Sequence, residues 1–430
     1  MRDIRRVVVV GANGTMGSGA GALFAARGFE VAMLARTEDK AREGLARAKN
    51  AVRSDVIESH MSCGSYDEAL DREVARADLV LEAVAEDLPT KNRYFDAIDG
   101  ARRPGTVIAT VSSGLSMAQM SAGRSDDFQR HFMGIHLFNP PHVIVGTELI
   151  SGPNTDRELL QSIKSMLRKK LGRVVVECRD MPAFAGNRIG FKVLNECAQL
   201  AEKHGVAKVD YLIGPYTGRA MPPLATIDLV GFDVHKAIVD NVYANTRDEA
   251  HEAFAMPAYM SRLIALGHLG NKTSSGGFYR ASKADKTVST LRPASLDHAT
   301  DTAFDKVGFI EEMKLLHHVG RYADAMELLL AAHGPEADLV RRVVFGYVSY
   351  ALSRVGPTEV AADVTVVDQI MGWGFNWAPP SVLVDLCGRK QVVQAMNELG
   401  LKVPAVVQDL PDGQKLSGQH SNIGRYFVAK

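Results

Sequence analysis

Arg5-Arg6-Val7-Val8-Val9-Val10-Gly11-Ala12-Asn13-Gly14-Thr15-Met16-Gly17 is the stretch that decides the fold. Four consecutive valines suit a short strand buried on both faces, and the glycines that follow turn the chain sharply. Small and apolar residues then occupy 18–27, and a second apolar run covers 30–34. The reading is strand, tight turn, helix, strand. Asp78-Leu79-Val80-Leu81-Glu82-Ala83-Val84 and Thr106-Val107-Ile108-Ala109-Thr110 read as further buried strands, separated by helical stretches such as 91–99. Such alternation predicts a parallel sheet flanked by helices.

The pattern changes at Asp180-Met181-Pro182, after which 187–203 is long, Ala/Leu-rich and helical. Beyond it an internal repeat is visible. Asn187-Arg188-Ile189-Gly190-Phe191, Gly214-Pro215-Tyr216-Thr217-Gly218 and Pro222-Pro223-Leu224-Ala225-Thr226-Ile227-Asp228-Leu229-Val230-Gly231 form the first copy. Arg341-Arg342-Val343-Val344-Phe345, Gly372-Trp373-Gly374-Phe375-Asn376 and Pro379-Pro380-Ser381-Val382-Leu383-Val384-Asp385-Leu386-Cys387-Gly388 echo it. Two copies of one helical unit, stacked to share a core, are expected. The polar segment 281–302 reads as a surface linker, and the tail after Pro411 as loosely ordered. The expected fold is therefore α/β: an N-terminal Rossmann-type parallel sheet followed by two repeated all-α domains. The expected bounds are 1–181 for the sheet domain, 182–283 for the first helical domain, and 284–430 for the linker with the second repeat.

A chain of 430 residues exceeds one compact core, in keeping with several domains. Its 50 basic residues balance 50 acidic ones, so no net positive field draws in nucleic acid or an anionic membrane. Cys63, Cys178, Cys197 and Cys387 form no CxxC pair, which argues against a metal site and a disulfide framework. The four-valine run is too short for a signal-peptide core or a membrane span. A cytoplasmic protein is expected.

A glycine turn that opens a helix presents backbone N–H groups and the positive helix end to a pyrophosphate. Gly11, Gly14 and Gly17 leave room for that approach, with Asn13, Thr15 and Met16 lining it. The spacing is GxxGxxG, one residue longer in its first interval than GxGxxG. The second strand ends Met33-Leu34-Ala35-Arg36, without the acid that accepts the ribose hydroxyls. Arg36 can pair instead with a 2′-phosphate, which favours NADP, or stand solvated at a helix start. The cofactor is NAD or NADP.

His136 ends the apolar run 132–135 and precedes the turn Phe138-Asn139-Pro140-Pro141. The chain then returns through a strand-like run, 143–150, that can bring Glu148 beside His136. A carboxylate there orients an imidazole acting as a base near neutral pH. Spacing alone leaves open that the two are unrelated.

The set resembles the 3-hydroxyacyl-CoA dehydrogenases. His136-Leu137-Phe138-Asn139-Pro140 is similar to the family's His-Phe-Phe-Asn-Pro motif, with Glu148 at its His-orienting glutamate. Pro182-Ala183-Phe184-Ala185-Gly186-Asn187-Arg188 resembles Pro-Gly-Phe-x-x-Asn-Arg. Thr110-Val111-Ser112-Ser113-Gly114 resembles Ser-Asn-Thr-Ser, with Ser113 at the substrate-binding serine. Residues 82–88, with Ala85, Glu86 and Lys91, resemble the segment on the nicotinamide side. Gly270-Asn271-Lys272 through Gly276-Gly277-Phe278-Tyr279 is similar to Gly-x-Lys-Thr-Gly-x-Gly-Phe-Tyr. The C-terminal repeat resembles the second copy in the longer, fatty-acid β-oxidation members, without their hydratase domain. Val111, Ser112, Leu137 and Ala183 depart from the pattern.

The resemblance implies an oxidoreductase that converts a (3S)-3-hydroxyacyl-CoA to a 3-oxoacyl-CoA, reversibly. His136 would be the acid-base, Glu148 its holder, and Ser113 and Asn187 donors to substrate, Asn187 from the helical domain. Arg341 stands where Asn187 has its echo, so the second repeat should hold no second site. The partner is a small acyl-CoA; the chain is a monomer or homodimer. An NADPH-dependent reductase of a related 3-oxoacyl thioester or 3-hydroxy acid is the alternative. A non-catalytic dinucleotide-binding module is a third reading.

Overall fold

A computed structural model describes residues 3–282, 287–300, 303–418 and 423–427. The chain forms two compact units, 1–184 and 185–430.

The first unit is built on an eight-stranded sheet: β1 (Arg6–Val10), β2 (Glu30–Ala35), β3 (Met61–Ser65), β4 (Leu79–Glu82), β5 (Val107–Thr110), β6 (Phe132–Leu137), β7 (Gly146–Ser151) and β8 (Val174–Cys178). Their spatial order is β3-β2-β1-β4-β5-β6-β7-β8. All pairings are parallel except β6 with β7, which is antiparallel. The sheet is therefore parallel with one reversed step. Val7, Val8, Val9 and Val10 have no exposed surface, as a strand covered on both faces requires.

The order reverses beside β1, which lies between β2 and β4. Ligands of open α/β sheets bind in the crevice at such a switch point, outside the carboxyl ends of the strands. The loops that leave β1, β2, β4 and β5 all open at that edge, and His136 sits one residue from the end of β6.

The second unit is mostly helical, and its repeat is real in three dimensions. Helix Pro223–Val230 ends at Gly231 (φ 97°) and helix Pro380–Cys387 ends at Gly388 (φ 82°). Asp210 accepts the N–H groups of Leu224 and Ala225 at the start of the first helix; Asp368 accepts that of Ser381 at the start of the second. Asp228 takes the N–H groups of Phe278 and Tyr279, and its echo Asp385 takes those of Leu416 and Ser417. The copies meet through reciprocal bonds, Ala220 N–H to Asn376 O and Ala378 N–H to Gly218 O.

Three expectations are corrected. The polar segment 281–302 is not a plain linker: β9 (Tyr279–Ser282), β10 (Thr287–Arg292) and β11 (Asp297–Ala299) form an antiparallel sheet. Its short, polar strands carry little apolar alternation, which hid them. The boundary expected between 283 and 284 lies outside the described residues. In the tail, Tyr426 and Phe427 are buried, Phe427 stacking on His317 and Tyr322 at 4.9 and 5.3 Å; residues 419–422 and 428–430 of it lie outside the described residues. Finally, the return strand starts at Gly146 rather than 143, because Val143 and Ile144 N–H groups bond the Pro140 carbonyl. Among the described residues no helix is long and apolar enough to cross a membrane.

Candidate active site

The glycine turn comes first. Gly11 has φ 95°, and a Cβ there would lie 2.4 Å from the Ala83 carbonyl oxygen. A Cβ on Gly17 would lie 2.2 Å from the Gly11 carbonyl oxygen. Both glycines are thus demanded by the chain's own packing. Gly14 is not: a Cβ there would find its nearest neighbour at 3.5 Å. Yet Gly14 is the N-cap of helix Thr15–Ala25, with no side chain capping that helix. A helix start without a side-chain cap fits a pyrophosphate. Asn13 and Met16 are half-buried and Thr15 exposed along this edge.

Ala35, where the ribose-binding acid is expected, is fully buried at the end of β2, and Arg36 is exposed just beyond. Thr37 caps the next helix by accepting the Lys40 N–H.

The loop after β4 is organised by a residue that sequence reading quoted without a role. Glu82 is wholly buried and accepts Lys91 Nζ on both oxygens, at 2.9 and 3.0 Å. It also accepts the Val84 N–H at 2.7 Å and Thr110 Oγ1 at 2.6 Å. Lys91, expected to face the cofactor, is itself fully buried, with its ammonium also 3.3 Å from Glu86. Glu86 in turn accepts Ser112 Oγ at 2.6 Å and the Ser113 N–H at 2.8 Å. Burial works against its charge, but the Lys91 ammonium and the two serine bonds prevail and hold the Glu86 carboxyl below the usual range. The network ties the loop after β4, with exposed Ala85, to the loop after β5 that carries half-buried Ser113.

At the next strand, antiparallel register places His136 directly opposite Glu148. His136 Nδ1 lies 2.5 Å from Glu148 Oε2, with exposures of 3% and 0%. A carboxylate only accepts, so Nδ1 carries the proton and Nε2 is left as the basic nitrogen. The rings of Phe138 and Phe184 pack on the imidazole at 4.8 and 5.6 Å. Ala183 and Phe184 both have positive φ, 60° and 51°, a backbone region that favours glycine. Asp180 fixes this segment, accepting Ser116 Oγ and the N–H groups of Met117 and Ala118. Buried Arg173 closes the β6–β7 connection by donating to Pro141, Ile144 and Gly146 carbonyls and Thr147 Oγ1.

The first unit thus gathers Gly11, Gly14, Gly17, Arg36, Ala85, Glu86, Lys91, Ser113, His136 and Glu148 at one edge of one sheet. Asn187 belongs to the second unit, buried in the first turn of helix Gly186–His204. Arg341, its echo, donates to Asp338 and the Leu330 carbonyl, a structural part.

A glycine turn before an uncapped helix start, a switch point in a parallel sheet and a carboxylate-held histidine are features of the dinucleotide-dependent oxidoreductases. The NAD binding domain of 3-hydroxyacyl-CoA dehydrogenase matches residues 6–181, and the C-terminal domain of 3-hydroxyacyl-CoA dehydrogenase matches residues 184–281. A probable 3-hydroxyacyl-CoA dehydrogenase of Deinococcus radiodurans is 32% identical, over 68% of this chain and 88% of its own length. Another of Bacillus subtilis is 30% identical over 96% of this chain; the chain spans 54% of that relative's length. A 3-hydroxybutyryl-CoA dehydrogenase structure from Escherichia coli covers 95% of this chain and 98% of its own, with TM-score 0.69 and 20% identity, a likeness of fold. The chain belongs to the 3-hydroxyacyl-CoA dehydrogenase family, oxidoreductases acting on a CH–OH group.

Proposed function

We propose that the protein oxidises a (3S)-3-hydroxyacyl-CoA to the 3-oxoacyl-CoA, reversibly, with His136 as general base. The observation that carries this is the 2.5 Å contact between His136 Nδ1 and buried Glu148. A bound nicotinamide supplies the hydride acceptor. His136 Nε2 takes the hydroxyl proton, and Glu148 holds the ring in one tautomer and steadies its charge once protonated. Ser113 and Asn187 donate hydrogen bonds to the substrate oxygens. Gly11, Asn13, Gly14, Thr15, Met16 and Gly17 hold the pyrophosphate, and Ala85, Glu86 and Lys91 shape the nicotinamide side. The division of the chain at 181 and 283 is part of this reading. The assembly is a monomer or a homodimer, which light scattering distinguishes.

The experiment is acetoacetyl-CoA-dependent loss of NADH and of NADPH absorbance, with His136→Gln as control. Turnover abolished by the substitution supports the reading; binding of dinucleotide without turnover overturns it in favour of a non-catalytic module.

A second reading is favoured by buried Ala35 and exposed Arg36: a reductase that prefers NADPH. Arg36→Ala is expected to lower the NADPH-to-NADH preference about tenfold, the worth of one charge-assisted bond. An unchanged preference overturns it.

A further inference from the structure

The face of the sheet that bears His136 carries a third polar side chain. Side chains alternate along a strand, and β7 pairs with β8 so that Glu148 lies beside Val176 and Ile150 beside Cys178. Glu148 and Cys178 therefore share one face, diagonally across two strands. Cys178 Sγ lies 3.5 Å from Glu148 Oε1, the carboxylate oxygen that His136 does not use. Cys178 is 5% exposed and Glu148 0%. In this contact the thiol donates and the carboxylate oxygen accepts.

We propose that Cys178 is a positioning residue: its thiol donates to Glu148 Oε1 and thereby controls how tightly the His136–Glu148 pair holds a proton. The carboxylate carries its full charge when the imidazole is neutral and a partly compensated charge when the ring is protonated. A donor on the far oxygen stabilises the first state more than the second. The thiol therefore favours the neutral ring, the form that accepts the substrate's proton. It also fixes the carboxylate plane from the side opposite His136, as partners of an orienting group do elsewhere. On this face Glu148 of β7 and Cys178 of β8 lie beside the ring, and buried Glu82 of β4, paired with Lys91, lies two strands away on the other side. Phe138 and Phe184 supply the other surfaces against the ring, and Arg173 bonds Thr147, which points to the opposite face.

The catalytic consequence rests on His136 being the base, but the effect on the pair does not. The test is the titration of the His136 ring followed by 15N NMR of histidine-labelled full-length protein, with His136→Gln to assign the signal. Cys178→Val keeps comparable bulk and removes the donor. It is expected to raise the midpoint by about half a pH unit, a roughly threefold smaller neutral fraction on the rising limb. Cys178→Ser keeps a donor and is expected to leave the midpoint at or below that of the unaltered protein. If the valine protein does not fold, Cys178→Ala makes the same comparison. A midpoint unmoved by valine or alanine, or moved equally by valine and serine, overturns the proposal and leaves Cys178 a packing residue. The acid limb of kcat/KM for 3-hydroxybutyryl-CoA oxidation should follow the ring. Absence of thioester turnover in the unaltered protein overturns the reading of the site, while the ring titration still decides the role of Cys178.

Discussion

Lys91 and Glu82 form an ion pair in which neither side chain has any exposed surface, and both carboxylate oxygens receive the ammonium. The pair spans the loop between β4 and helix Leu88–Ala101. Two charges withdrawn from water are tolerable only together, and each also has hydrogen bonds to spend its remaining capacity on.

Removing one partner strands the other. Lys91→Met is expected to lower the stability of the protein by about 3–5 kcal/mol in urea unfolding, because Glu82 is left charged in an apolar interior. The double substitution Lys91→Met with Glu82→Leu should recover part of that loss. A single variant as stable as the parent contradicts the account.

The glycines of the first turn should separate by role. Gly17→Ala forces a Cβ to 2.2 Å from a backbone carbonyl and is expected to destabilise the fold. Gly14→Ala makes only ordinary contacts and should leave the melting temperature within about 2 °C, while weakening dinucleotide binding at least about tenfold by placing a methyl group at the helix start that is to receive the pyrophosphate. Calorimetric titration with NADH and NADPH measures it. Equal loss of stability in both variants would remove the distinction.

Glu148→Gln keeps the shape of the partner and removes its charge. The expected result is a kcat lowered about 10²-fold or more with a small change in KM, since ring orientation and the charged ring are both affected in the transition state. A loss confined to KM would place Glu148 in substrate binding instead.

Burial pushes the Asp228 carboxyl up to about 7 and that of Asp210 up to about 6, against the backbone N–H bonds each accepts. A folded-state value above the unfolded one means the native state binds more protons. The stability these groups contribute is therefore complete below about pH 4 and is lost as pH rises through 6 to 7. Asp228→Asn should flatten the decline of the melting temperature between pH 5 and 8, even if it lowers the temperature throughout. An undiminished slope would assign that pH dependence to other groups.

Much of the fold was legible because it rests on local pattern. Val7–Val10 and the glycines after them dictate strand and turn from steric and burial requirements that a few neighbouring residues satisfy alone. The echo of Pro222–Gly231 in Pro379–Gly388 was legible for a similar reason: each copy encodes a helix start, an aspartate that accepts backbone N–H groups and a glycine stop at positive φ. The His136–Glu148 pair was half legible, since two residues twelve apart become partners only if the intervening turn sets antiparallel register.

Sequence alone thus determined the first strands of the sheet and the glycine turn after β1, the duplication in the helical part and the identity of the acid-base candidate. Tertiary structure alone decided that Lys91 turns inward to Glu82, that 281–302 contains strands, and that Cys178 of β8 meets the carboxylate opposite His136. The physical reason is range: turns and strands are set by sterics within a few residues, whereas a buried charge takes its partner from whatever strand the folded sheet brings alongside.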